Sequence, residues 1–338
     1  MDSPIRIGLL GCGFQGRFHA ANIAAHNRAE LAVCCDINPT PARSLAESHR
    51  VDWTADYQSV LRDPAIDAVV IATTTSTHAG LAEEAANYGK HILLEKPMAL
   101  SVEECLDIEA AVTAADVTLM IGYKFRFMQA AIAAREAVPH PVVLSAHTLY
   151  DFTQETSSWV DDRDLSGGRV TSSMVHSVDL LRFLAGSEVT AVTAAGGNLV
   201  IDGLGDLDNV VATLEFESGA VASLLHGTAG QSELLSVWSF QTAGRGVNAT
   251  IHAHGRRVII HDSAAAGPPH EVFDGTPDPF AAGTAELLDQ FIIAVETGES
   301  SSATGRDGTM GIIICRAIEE AVATGTRCHV RPPGNDPG

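Results

Sequence analysis

Gly11, Gly13 and Gly16 stand in G-x-G-x-x-G spacing within IRIGLLGCGFQGRFHAANI, after an apolar strand pattern and at the start of a helical one. That setting is what a dinucleotide loop requires. The first glycine permits a tight turn, the second lets backbone approach a pyrophosphate, and the third lets helix pack on strand. The helix start, with Phe14 and Gln15 in its first turn, offers N–H groups and a positive dipole end to an anion. Asp36 ends the next strand pattern, about twenty residues on, where a carboxylate accepts from both ribose hydroxyls of NAD. Ile37 and Asn38 follow it, so no adjacent arginine would receive a 2′-phosphate. The plainer alternative for Asp36 is a cap on the following helix.

Two further groups could move protons. Lys96 follows the strand pattern HILLE, within EKP. Ligands of a parallel sheet bind at the carboxyl ends of its strands. There a lysine could hold a substrate hydroxyl and steady alkoxide-like charge; a surface pair with Glu95 is the alternative. Pro97 predicts extended backbone at Lys96. His176 lies in GRVTSSMVHSVDLLRFL, which reads as a helix. Ser172, His176 and Asp179 share one face of it, and Met174, Val175, Val178, Leu181 and Leu184 fall on the other side. Such a histidine is either a satisfied core residue or a general acid/base. Asp179 could orient it, or pair with Arg182 at i+3.

These groups need elements to hold them. Strand and helix patterns alternate from residue 5 to 122: strands at 5–10, 31–35, 66–73, 91–95 and 117–122, with helices at 14–26, 39–49, 77–89 and 101–114. Ser101 and Glu104 make a capping box. Strands this apolar, separated by helices, predict a parallel sheet covered on both faces. A helix at 128–137, a strand at 142–150 and a polar stretch at 151–169 come next. Successive strands from 188 to 262, separated by ESGA and AGRG, predict an antiparallel sheet. Helices at 281–297 and 306–324 precede a frayed tail.

Composition narrows the classes. At 338 residues, two domains are natural. Asp and Glu outnumber Lys and Arg by 42 to 21, a surface that repels nucleic acid. No apolar run spans a membrane. PIRIGLLG reads as a strand rather than a leader, so a soluble cytoplasmic protein is expected. The six cysteines form no C-x-x-C pair, which supports neither a zinc nor a redox motif, and no metal is expected.

Taken together, the glycine loop, EKP, GYKFRF at 122–127 and the GG…H-x-x-D helix resemble the Gfo/Idh/MocA family, the glucose–fructose oxidoreductase and inositol-dehydrogenase-like enzymes. The resemblance implies an α/β fold: an N-terminal Rossmann doubly wound parallel sheet over 1–122 that binds NAD, and a C-terminal α/β domain over 123–338 with a large open, mostly antiparallel sheet for substrate binding and oligomerisation. It implies Lys96 as the catalytic, substrate-positioning lysine and His176 as the acid/base. Gly11, Gly13, Gly16 and Asp36 match the cofactor loop and ribose carboxylate. Thr73, Thr75 and His78, in ATTTSTH, resemble the turn beside the cofactor, which often has asparagine where Thr75 stands. Arg126 matches a frequent arginine, and Lys124 replaces a frequent asparagine. Ser172 stands where the family has a second catalytic carboxylate, and Met174 replaces a glycine; Ser172 could instead be a helix cap. Trp159, Asp161 and Arg163 are candidate substrate contacts.

The implied activity is hydride transfer between NAD and a secondary alcohol or ketone of a sugar, cyclitol or related polyol, by a homodimer or homotetramer. A redox-neutral NAD-using lyase or hydrolase, and a non-catalytic nucleotide-sensing regulator, are the alternatives. Asp36 predicts that kcat/KM favours NAD over NADP on any active substrate. Asp36→Ala should narrow that ratio, since it removes both the ribose contact and the repulsion; a wild-type ratio favouring NADP would refute the assignment.

Overall fold

The computed structural model describes residues 3–150, 159–230, 237–265, 267–273, 275, 278 and 280–333. The first half of the polar stretch, 151–158, and the last residues of the tail lie outside these. The chain divides into two compact units, Met1–Lys124 with Thr284–Thr309, and Phe125–Gly283 with Met310–Gly338.

The first unit alternates β1 (Ile5–Leu10), α1 (Phe14–Ala25), β2 (Ala29–Cys35), α2 (Pro39–His49), β3 (Asp52–Thr54), α3 (Tyr57–Arg62), β4 (Ala68–Ile71), α4 (His78–Asn87), β5 (His91–Leu94), α5 (Val102–Ala115) and β6 (Leu119–Ile121). The strands form one parallel sheet in the order β3-β2-β1-β4-β5-β6, the doubly wound arrangement with its switch point beside β1. β4 is buried throughout, as expected of a central strand covered on both faces. Ser101 and Glu104 form the predicted capping box. β3 and α3 are absent from the sequence reading, because three residues at a sheet edge carry no periodicity. Pairing ends at Leu94, so Glu95, Lys96 and Pro97 form the turn at the carboxyl end of β5.

The second unit carries α6 (Gln129–Ala137), β7 (Val143–Leu149), α7 (Arg163–Ser166), α8 (Arg169–Ala185), β8 (Val189–Gly197), β9 (Asn209–Phe216), β10 (Val221–Gly227), β11 (Trp238–Ala243), β12 (Val247–His252), β13 (Arg257–Asp262) and β14 (His270–Phe273). Two helices follow: α9 (Thr284–Thr297), which groups with the first unit, and α10 (Gly305–Thr324), whose residues fall in both. β15 (Cys328–His329) closes the order β14-β13-β12-β11-β7-β10-β9-β8-β15. Among the described strands of this sheet the β7–β10 pair is parallel and the others are antiparallel. The sequence pattern places all of 123–338 in the second part. Instead, Thr284–Thr309 returns to the first, where Arg28 on the chain after α1 meets Asp289 and Glu296, each at 2.6 Å.

One face of the second sheet is covered by α8 and α6. Leu144, Ala146, Leu214, Ala222, Leu224 and Phe240 face inward and are buried. VVATLEF and VASLLHG alternate along β9 and β10. Their period of two sends the larger apolar residues inward, and the opposite face mixes exposed Val143, Val211 and Val221 with Thr213 and Ser223. α8 itself is buried nearly all round, Ser172, His176 and Asp179 included. Its polar stripe therefore faces protein, not solvent, and each polar group there must find a partner.

Candidate active site

The end of β1 and the start of α1 approach closely. Gly11 has φ +95°, and a Cβ on it would meet the Ala72 carbonyl oxygen at 2.4 Å. A Cβ on Gly16 would lie 2.1 Å from the Gly11 carbonyl oxygen. A side chain at Gly16 would push the helix off the strand, and one at Gly11 would push the loop off the segment that follows β4. Gly13 differs, since a Cβ there would meet no protein atom within 4 Å. Gly13 caps α1 without a side-chain acceptor, and the first turn holds no acidic residue. The positive helix end thus keeps its attraction for an anion. Asp36 is fixed at the end of β2: its Oδ2 accepts from the Cys12 N–H and its Oδ1 from the Asn38 N–H, both at 2.8 Å. Each oxygen keeps acceptor capacity for a ribose hydroxyl. An open space beside a loop that tolerates no side chain elsewhere, an unneutralised helix end and a fixed carboxylate fit a dinucleotide.

The Lys96 turn is held from two sides. The Lys96–Pro97 peptide is cis, a feature the sequence reading did not anticipate. His78 is buried, with Nδ1 2.8 Å from the Pro97 carbonyl oxygen and Nε2 3.2 Å from that of Thr73. Burial lowers its pKa. His78 therefore clamps the turn to the 73–77 segment, where the Thr73 and Thr77 hydroxyls bond at 2.7 Å and the Thr75 side chain is buried. On the other side Glu95 is 5% exposed, and its Oε1 lies 2.8 Å from His19 Nε2 and 3.5 Å from Gln15 Nε2. Its Oε2 accepts the Lys96 backbone N–H at 3.2 Å. Glu95 is thus no surface partner for Lys96. Burial works against its charge, but the His19 hydrogen bond, with the charges of His19, Lys96 and Lys124, outweighs it and holds the carboxyl at about 2. Lys96 is half-buried, which lowers its ammonium pKa against the opposing pull of Glu95.

In the second unit, His176 stacks on Phe125, ring centres 4.4 Å apart and planes at 16°. Phe125 meets Trp238 edge-on at 4.7 Å, and the Trp238 indole N–H donates to the Tyr150 hydroxyl at 2.6 Å. This aromatic wall fixes the imidazole plane. Ser172 is not the helix cap, which is Gly168; the Ser172 hydroxyl donates back to the Arg169 carbonyl at 3.1 Å. Asp179 keeps the expected i+3 ion pair with Arg182, at 3.7 Å, and has a second cationic partner. Its carboxylate holds Arg126 in a fork, Nε–Oδ2 at 2.8 Å and Nη2–Oδ1 at 2.5 Å. Arg182 also forks onto Glu188 at 2.8 and 2.6 Å. A buried carboxylate requires a charge-assisted partner, and Arg126, itself 7% exposed, supplies one. Arg126 is accordingly held in place by Asp179.

Of the candidate loop contacts, Trp159 is 43% exposed. Asp161 pairs with Arg169 at 2.5 Å, and Arg163 bridges Asp206 at 2.7 Å and Glu319 at 2.6 Å. The sequence reading missed His19, Phe125, Trp238 and His226, whose Nε2 lies 2.7 Å from the Ser173 hydroxyl. His19 carried one signal, since it lies three residues beyond Gly16 and so one turn along the same helix face.

A family model described as an oxidoreductase family with an NAD-binding Rossmann fold matches residues 5–123, and the GFO/IDH/MocA C-terminal domain model matches 126–255. The chain belongs to the Gfo/Idh/MocA oxidoreductase family. Its NAD cofactor is that of the family's Rossmann domain. Within this family the chain is 30% identical to an uncharacterized oxidoreductase, YrbE, of Bacillus subtilis, over 96% of each chain. It is 29% identical to an inositol 2-dehydrogenase of Rhizobium meliloti, over 94% of this chain and 97% of that one. Its fold is also that of a levoglucosan dehydrogenase solved with NADH and levoglucosan, with TM-score 0.87 and 23% identity over 97% of this chain and all of the other.

The open space at Gly13 generates a test. Gly13→Ala should leave the thermal midpoint unchanged, because the methyl meets no protein atom, yet weaken NADH binding about tenfold or more, equivalent to roughly 1.4 kcal/mol. Fluorescence titration beside thermal unfolding separates the two effects. Wild-type affinity in this variant would mean that no ligand backs onto Gly13.

Proposed function

We propose that this protein transfers hydride between NAD and a secondary alcohol or ketone of a sugar, cyclitol or related polyol. The observation that carries the proposal is the Glu95–Lys96–Pro97 turn, pinned by His19 and His78 at the carboxyl end of β5, in the sheet that also carries the glycine loop. Lys96 donates to the substrate hydroxyl oxygen and stabilises the charge that grows there as the C–H bond breaks. His176 accepts the hydroxyl proton during oxidation and returns it during reduction. Bound NAD supplies the acceptor for the hydride and its electron pair. Phe125 keeps the imidazole in one plane. Ser172 brings no charge to His176, so this chain works without the carboxylate its relatives' pattern has at that position.

His176→Ala should lose about 10²–10⁴-fold in kcat, and Lys96→Ala should also lose activity, each with NADH affinity near that of the parent. Screening sugars and cyclitols for NADH absorbance identifies the substrate. Near-normal turnover in His176→Ala would refute its role, and product formation without NADH accumulation would favour a redox-neutral reaction.

We also propose a cytoplasmic homodimer or homotetramer joined through the uncovered face of the second sheet. All six cysteines are free thiols, which suits a reducing compartment. Among the described residues no helix is long and apolar enough to cross a membrane. Exposed Val143, Val211 and Val221 support the interface, and two-fold symmetry is the commonest closure. Sedimentation should show a species of at least twice 35.5 kDa at micromolar concentration; a monomer would contradict the proposal.

A further inference from the structure

The mechanism proposed above uses Lys96 but leaves one buried ionisable pair beside it unused. His19 is 1% exposed and Glu95 5%. His19 projects from α1, the helix of the glycine loop, and its Nε2 lies 2.8 Å from Glu95 Oε1. The other oxygen of that carboxylate accepts the Lys96 backbone N–H. A Cβ placed on Gly122 would lie 3.0 Å from the same carboxylate, so the chain leaving β6 also packs closely against it. One carboxylate therefore joins α1, the Lys96 turn and the 122 segment.

We propose that His19 is a positioning residue: its hydrogen bond locks the Glu95 carboxylate, and the locked carboxylate orients the Lys96 turn and serves as the counter-charge of the lysine. The proposal rests on Lys96 holding the substrate hydroxyl. The titratable or charged groups facing Glu95 are His19 from α1, His78 from α4, Lys96 on the turn itself, and Lys124 beyond β6. With His19 present the carboxyl sits at about 2 and is ionised at every working pH. Without it, burial opposes the charge with its chief counterweight gone, and the carboxyl moves up. As pH falls through that raised value, Glu95 takes a proton and Lys96 loses its counter-charge. Activity is then lost from the acid side, one proton more steeply than in the parent.

The test compares pH profiles of kcat/KM for the parent, His19→Leu and His19→Gln, with NADH affinity measured by fluorescence. In His19→Leu the ratio of activity at pH 8 to that at pH 5 should rise at least tenfold above the parent ratio. His19→Gln, which keeps an N–H donor, should restore the parent ratio, and NADH affinity should stay near that of the parent in both. In a Glu95→Gln background His19→Leu should add nothing, because both changes break one link. A parent-like pH ratio in His19→Leu, or additive losses in the double variant, would overturn the assignment. If His19→Leu does not fold, His19→Asn, with a shorter side chain, carries the same expectation. Failure of the Lys96 reading shows separately, as undiminished activity in Lys96→Ala, whereas a parent-like His19→Leu profile with inactive Lys96→Ala removes only the role of His19.

Discussion

The nucleotide side of this protein depends on how closely α1 approaches the strand it leaves. A single methyl group at Gly16 would collide with the Gly11 carbonyl, and one at Gly11 would collide with the backbone after β4. Because no atom stands between them, the helix end lies directly over the carboxyl ends of the strands. Asp36, at the end of β2, then stands beside the same loop, tied to it through the Cys12 N–H. His19 is carried on that helix at the height of Glu95. Moving α1 outward by one side chain would undo all three placements together.

A second constraint concerns charge that has been removed from water. Glu95 and Asp179 are both almost fully buried carboxylates, and such groups persist only when donors meet them. Their solutions differ. Asp179 receives the planar fork of Arg126, a rigid bidentate pair that stitches the segment before α6 to α8. Glu95 receives an imidazole, an amide and a backbone N–H, and the charges of two lysines favour its ionised form. The first is a structural rivet. The second joins α1 to the turn that carries Lys96.

The parts visible in the sequence are those with short-range signatures. G-x-G-x-x-G after a strand, Asp36 at the next strand end, EKP after β5 and the capping box at Ser101 each occupy the structural setting their spacing implies. The parallel and mostly antiparallel sheets follow from apolar runs in one half and alternation in the other. What escaped detection depends on pairs far apart in the chain. Glu95 finds His19 from 76 positions away, and Arg126 finds Asp179 from 53; no local pattern encodes either. The stripe on α8 was legible as a stripe, but its surroundings were not, since a helix covered on all sides shows the same periodicity as one half in water. β3 was too short to leave any pattern.

The return of Thr284–Thr309 makes the nucleotide-binding unit discontinuous in the chain. The N–H of Ile121, on edge strand β6, is bonded to the carbonyl of Ala303, and Asn22 on α1 bonds to Thr284. During synthesis, which proceeds from the N-terminus, the six strands emerge early, yet their edge and the outer side of α1 lack these partners until the whole intervening segment has been made. The nascent sheet must wait with an open edge, the kind of surface that invites mispairing. A fragment cut after residue 124 would inherit that exposed edge permanently. A stand-alone nucleotide-binding module from this protein would have to carry the later segment spliced back on.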